Sequence, residues 1–133
     1  MNLSKLCFLL MLVVALGACN KDDDDANNNC TQADWVGNYT GTQVCNGVPF
    51  DISVTITASG EDAVIVKYDD GVSEASFDPI TIDGCKLNRT QEDPSIGASL
   101  TIEATLDGDN LSFRDVLTVG TDTSDCTITA TRN

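Results

Sequence analysis

The chain has 133 residues, which supports one domain, with 7 Lys+Arg against 21 Asp+Glu, a formal net charge of −14, six Cys and no His. A chain this acidic offers no cationic face to displace counterions from nucleic-acid phosphates, so nucleic acid is excluded as a partner. Without His there is no Ser-His-Asp or Cys-His catalysis and no His-ligated zinc or iron, which removes most enzyme classes and leaves a non-enzymatic reading with no cofactor.

The chain begins Met1-Asn2-Leu3-Ser4-Lys5, continues in an apolar run from Leu6 to Ala18, and reaches Cys19. A charged start, an apolar stretch and a small-residue site are the parts of a secretory signal. The apolar run is shorter than the roughly 20 residues a helix needs to cross hydrocarbon, so residues 1–18 are expected to be removed. Leu16-Gly17-Ala18-Cys19 resembles the lipobox of bacterial lipoproteins, which implies cleavage before Cys19 and a diacylglyceryl group on its thiol.

Asn20-Lys21-Asp22-Asp23-Asp24-Asp25 and Ala26-Asn27-Asn28-Asn29 follow. A run of like charge beside three Asn cannot bury apolar surface, so residues 19–29 read as a lipidated Cys on a solvated tether, at most about 35 Å long when extended. Lys21, Asp22 and Asp23 resemble the export signal that carries some Gram-negative lipoproteins to the outer leaflet, which implies an outer-membrane, exterior-facing location. A plain spacer beneath a periplasm-facing domain is the alternative.

Removing Cys7 with the signal and assigning Cys19 to lipid leaves Cys30, Cys45, Cys85 and Cys126, an even number that reads as two disulfides in an exported chain. No C-x-x-C pair is present, so a zinc centre does not fit.

From residue 30 to 133, short runs with period-2 alternation recur between clusters of Asp, Gly, Asn and Pro. The expected strands are Val36 to Cys45, Phe50 to Ala58, Ala63 to Tyr68, Val72 to Ile82 broken at Asp78-Pro79, Cys85 to Gln91, Ala98 to Leu106, Asn110 to Val119, and Asp125 to Thr131. The separators, among them Asn46-Gly47 and Asp107-Gly108, are hairpin-turn residues. Fifteen Thr, nearly all on these runs, suit a pleated surface whose outer face is wet.

Within the runs the faces separate. Leu100, Ile102, Ala104 and Leu106 alternate with Ser99, Thr101, Glu103 and Thr105, and Ile52, Val54 and Ile56 share one side of their run. In the first run Trp35, Gly37, Tyr39, Gly41 and Cys45 are in phase, and the two glycines suit a crowded barrel seam. Antiparallel pairing of the first and last strands sets Cys45 beside Cys126 on the apolar face, which favours that disulfide and leaves Cys30 with Cys85.

Trp35-Val36-Gly37-Asn38-Tyr39-Thr40-Gly41-Thr42 with Cys45, the strand Val54-Thr55-Ile56-Thr57, and the closing Ser124-Asp125-Cys126-Thr127-Ile128-Thr129-Ala130-Thr131 resemble small lipocalin-like bacterial surface lipoproteins. The resemblance spans most of residues 35–131. It implies an all-β, antiparallel up-and-down barrel of about eight strands whose mouth takes a small apolar ligand; a β-sandwich is the alternative. The chain departs from true lipocalins in its shorter length, in having no C-terminal helix pattern, and in placing Trp35 ahead of Gly37 with Tyr39 where Trp would stand.

Tyr39, Phe113 and Asp115 are the candidate ligand-binding residues. Asp115 lies in phase with Leu111, Phe113, Leu117 and Val119, which aims a carboxylate at the core; a β-bulge at Arg114-Asp115 that turns it outward, or an edge pair, is the favoured reading, because an unpaired interior carboxylate is costly, and a ligand-orienting Asp is the alternative. Trp35, Tyr39, Phe50, Phe77 and Phe113 read as core. The Asp69-Asp70, Asp107-Gly108-Asp109-Asn110 and Asp122/Asp125 clusters fit hairpin tips better than calcium sites, since none matches a full calcium loop. The function expected is therefore a membrane-anchored binding module for a small apolar ligand or partner protein; the alternative is a structural or inhibitor-like lipoprotein with a filled barrel.

Overall fold

The computed structural model describes residues 29–133. The signal sequence, Cys19, Lys21, Asp22 and Asp23 lie outside the described residues. A four-residue helix α1 (Gln32–Trp35) precedes nine strands: β1 (Gly37–Cys45), β2 (Val48–Ser59), β3 (Ala63–Asp69), β4 (Glu74–Ser76), β5 (Ile80–Asp83), β6 (Lys86–Asp93), β7 (Ala98–Asp107), β8 (Asn110–Val119) and β9 (Asp122–Arg132). All pairings are antiparallel, and the sheet closes on itself because β2 pairs with both β1 and β3 while β1 also pairs with β9. The result is an eight-strand up-and-down barrel with one additional strand: the strands follow the alternation and the turn residues, and their closure is the one the lipocalin-like resemblance implies.

The additional strand arises from the break at Asp78-Pro79. Both β4 and β5 pair with β3, at Lys67↔Ser76 and at Val64↔Ile80. Between those pairs, Ile65 and Val66 on β3 face Phe77, Asp78 and Pro79, so the fourth run carries one extra residue, the count that defines a bulge. Pro79 has no N–H to give to a ladder, which is why the interruption falls there. Beyond it, β5 pairs with β6 only at Ile82↔Leu87 and Asp83↔Lys86, leaving most of β6 without a backbone partner on that side.

The hairpin between β1 and β2 shows how local chemistry sets the register. Asn46 and Gly47 adopt φ of 49° and 85° between the partners Cys45 and Val48, the left-handed pair that a two-residue turn of this hand requires. Gly41 meets a different demand. A Cβ on it would lie 2.0 Å from the Thr129 carbonyl oxygen and 2.5 Å from the Ala130 Cα, so β1 and β9 approach there as only glycine permits.

The barrel has two unlike ends. One gathers α1, the turns at Gly60, Gly84 and Gly108, and the last residues of β9; the other gathers the turns at Asn46-Gly47, 70–73, 94–97 and 120–121. At the first end α1 acts as a plug. Asp34 accepts the Thr31 N–H at 2.7 Å and its hydroxyl at 2.8 Å, bonds that also hold the Asp34 carboxyl below its ordinary range. Gln32 Nε2 donates to the carbonyls of Ala63 at 2.6 Å and Gly60 at 3.1 Å, and Trp35 Nε1 to that of Gly84 at 2.9 Å. The Cys30–Cys85 disulfide fixes the segment that leads into it. Arg132 closes the end by donating to the carbonyls of Val36 and Asp34, pairing with Asp109 at 3.2 Å, and lying 5.0 Å from the centre of the Tyr39 ring.

Behind this plug Trp35, Tyr39, Val64, Val66 and Leu111 are completely buried, with Ile56, Ile80, Leu87, Leu106 and Ala130 packed around them. Side chains thus fill the sealed half of the barrel. Ile52, Val54 and Ile56 face inward as read from the alternation. Phe50, expected in the core, is 45% exposed, because β2 runs past the end of the closed wall and carries the ring to the rim.

Candidate ligand-binding mouth

The end opposite α1 is apolar at its edge. Val48, Phe50, Val72, Ile96, Leu117 and Val119 are the well-exposed large apolar side chains among the described residues, and each stands at a strand end or turn of this end. Scattered exposed apolar residues are ordinary, but their concentration on one end of a barrel is not.

Below the rim the inner face turns polar. Gln43 and Asp115 are the buried polar residues, at 6% and 8% exposure. Gln43 lies in phase with Tyr39 and Gly41 and could have been read from that alternation, which the sequence reading applied to its neighbours but not to it. The favoured bulge at Arg114-Asp115 does not form. The β7–β8 and β8–β9 ladders run without interruption through Ile102↔Asp115 and Asp115↔Cys126, so Asp115 shares the inner face with Ile102 and Cys126. The alternation of β8, not the cost of a buried carboxylate, decides its direction.

Its Oδ1 atom has no hydrogen-bond partner among the described residues. Burial pushes the carboxyl above its ordinary range, a bond from its own backbone opposes this, and the charge of Asp125 adds to it. The inward-phase cation closest in register, Arg89 opposite Ile102, is committed elsewhere: it donates to the carbonyls of Asp78 at 3.0 Å and Pro79 at 3.3 Å, and to Asp78 Oδ2 and Gln91 Oε1, each at 3.2 Å. It thereby bridges the gap between β6 and the β4–β5 break.

A group of aromatic rings shares the inner face with this carboxylate. Phe113, two residues along the same face, stands 6.0 Å from the Phe77 ring and 6.3 Å from the Tyr68 ring, and Tyr68 and Phe77 are 5.4 Å apart. Burial, with the charges of Asp115 and Asp70 behind it, pushes the Tyr68 phenol up to about 12. Tyr68, Phe77 and Phe113 therefore form one ring cluster, and the Asp115 charge acts on its Tyr68 phenol. Tyr39 does not join it: it sits in the sealed half, its hydroxyl donating to the Trp35 carbonyl at 2.9 Å.

The barrel seam passes beside Asp115, where Cys45 and Cys126 are joined as expected; Cys30 is joined to Cys85. No group of three or more metal-ligating side chains gathers among the described residues. The Asp70 carboxylate is occupied by the N–H groups of Val72 at 2.9 Å and Ser73 at 2.7 Å, and Asp125 by Arg114 at 2.7 Å. Along β6 to β9, a concavity of about 460 Å³ is bordered by Lys86, Glu103 and Arg114 together with Leu87, Ala104 and Phe113.

These features define a closed antiparallel barrel with one end plugged by α1 and the other rimmed by exposed apolar side chains. No protein-family model and no curated protein matches the chain. Among solved structures it is similar to a redesigned β-barrel, with 17% sequence identity and a TM-score of 0.59 over 79% of this chain and 96% of that one. At that identity the likeness speaks for the fold alone.

Proposed function

We propose that the chain is a lipid-anchored, surface-directed lipoprotein whose barrel is a lipocalin-like, non-enzymatic binding module for a small apolar ligand taken up through the apolar-rimmed end. The observation that carries the reading is the division of the barrel into a plugged end and an apolar-rimmed end. The chain leaves the tether at the plugged end, through Cys30 and α1, so a lipid on Cys19 would hold that end toward the membrane and the mouth away from it. Lys21 to Asp25 then serve as export signal and spacer, and the outer leaflet of a Gram-negative outer membrane is the location that fits.

The packed sealed half favours a second reading, a structural or inhibitor-like barrel with no ligand. Native mass spectrometry of the protein purified from its own membrane separates the two. A retained small molecule, lost when the apolar rim is made polar by Phe50→Ser and Leu117→Ser, supports binding. A bare mass, with no uptake of added apolar probes, leaves the structural reading.

A further inference from the structure

Resting on that binding reading, we infer that the mouth selects an apolar ligand bearing a protonated amine, with Asp115 as its counter-ion and Tyr68, Phe77 and Phe113 as the walls around its charged head. The burial, the register and the unmet hydrogen bond of this carboxylate carry the inference. Asp115 is more than nine-tenths buried, lies on the inner face by an uninterrupted register, and presents an oxygen with no hydrogen-bond partner among the described residues. Such a group is costly to retain unless something satisfies it. The nearby charges do not: Arg89 is spent on Asp78, Pro79 and Gln91, and Asp125 is anionic and paired with Arg114.

The neighbouring side chains also favour a cation. Ring faces attract an ammonium group through their quadrupole, and a carboxylate two residues along the same face from Phe113, whose ring stands with those of Tyr68 and Phe77 at 5.4 to 6.3 Å, is the combination that recognises one. A carboxylate ligand would meet Asp115 with like charge, and an alcohol would offer a hydrogen bond without the Coulomb attraction. Above the seat, Leu117, Phe50 and Val48 supply apolar surface for the rest of the molecule.

The test is a calorimetric titration of the full chain at 0.15 M salt and neutral pH with three probes of one length: octylamine, octanol and octanoate. Octylamine is expected to bind about 10-fold or more tightly than octanol, with octanoate weakest. Asp115→Asn, which keeps the shape and removes the charge, should bring octylamine down to the octanol value and leave octanol unchanged. Asp125→Asn removes the same charge from the outer face and should leave octylamine binding as it is. Equal binding of amine and alcohol by the unaltered chain overturns the inference while the binding reading survives, and this comparison requires no variant to fold. Equal weakening by Asp115→Asn and Asp125→Asn also overturns it, since the attraction is then that of the acidic surface as a whole. If none of the three probes binds, the inference and the binding reading fall together.

Discussion

Cys45 and Cys126 are direct register partners across the β1–β9 seam, with Cα atoms 4.1 Å apart. Their disulfide joins the first strand to the last at the point where an antiparallel barrel must close. The seam also carries Gly41 against Ala130, so covalent and steric closure fall on the same pair of strands.

The two disulfides are expected to differ in what they hold. Sequence separations of 81 and 55 differ by only about 0.3 kcal/mol in the chain-entropy picture, so position decides. Cys30–Cys85 pins a short plug that Gln32, Trp35 and Arg132 also retain. Cys45→Ala with Cys126→Ala should therefore cost more, about 2–4 kcal/mol and a fall of at least about 10 °C in Tm. Melting followed by fluorescence of the buried Trp35 reads both double variants, and equal losses would contradict the seam argument. A non-reduced peptide map should recover Cys45 with Cys126 and Cys30 with Cys85.

Gly41 and Gly37 make a paired test of the seam. A Cβ at Gly41 strikes backbone, at 2.0 Å from the Thr129 oxygen, whereas at Gly37 the nearest atom is the tip of the Arg132 side chain at 2.7 Å. Backbone cannot step aside, but a long side chain can. Gly41→Ala should destabilise by about 3 kcal/mol or more and Gly37→Ala by about 1 kcal/mol or less, measured by urea denaturation. A larger loss at Gly37 would mean that the Arg132 clasp matters more than strand approach.

The strands were legible because their signals are local, whereas their closure into a barrel was implied by the resemblance to lipocalin-like lipoproteins. Alternation along β7, β8 and β9 gives their faces, Asn46-Gly47 fixes a turn, and the Asp78-Pro79 break marks the bulge. Pairing Cys45 with Cys126 needed one non-local step, the assumption that the first and last strands meet. Three features were not legible in this way. Helix α1 is too short for any apolar period, and only Thr31 and Asp34 at N-cap spacing hint at it. Phe50 is exposed because β2 overshoots the wall, a matter of neighbouring strand lengths. Asp115 could be read inward or bulged outward, and only the ladders on both sides of β8 decide between them.

The proposed anchor has its own test. Cys19→Ser should leave the chain unprocessed or released into the aqueous phase on detergent partitioning, while Cys7→Ser should change nothing. Replacing Lys21 to Asp25 with Ala should protect the domain from protease added to intact cells. A correctly cut Cys19→Ser chain that still enters the detergent phase would contradict lipidation at that residue.

Asp115 also predicts a pH dependence of stability whose sign follows from its burial. Its carboxyl is held above the ordinary range, so the folded chain keeps this proton at pH values where the unfolded chain, near about 3.9, has released it. Within that window the native state binds more protons than the unfolded state, and this group's effect is that stability falls as pH rises. Above the window the whole cost of a buried carboxylate is present; below it both states are protonated and the cost vanishes. Asp34, Asp70, Asp93 and Asp125 are shifted the opposite way by their hydrogen bonds and lose stability on acidification, so the unaltered chain alone does not isolate Asp115. The difference between Asp115→Asn and the unaltered chain does, because those four groups are common to both. In the absence of ligand, Asp115→Asn should be the more stable at pH 7 by about 1 kcal/mol or more, because a neutral amide costs less to bury than a carboxylate. The gain should shrink as the pH approaches about 4, where both chains carry a neutral group at this position. Urea denaturation of the pair at half-unit pH steps measures it, and a gain that stays constant or grows on acidification would show that Asp115 is satisfied in the folded chain.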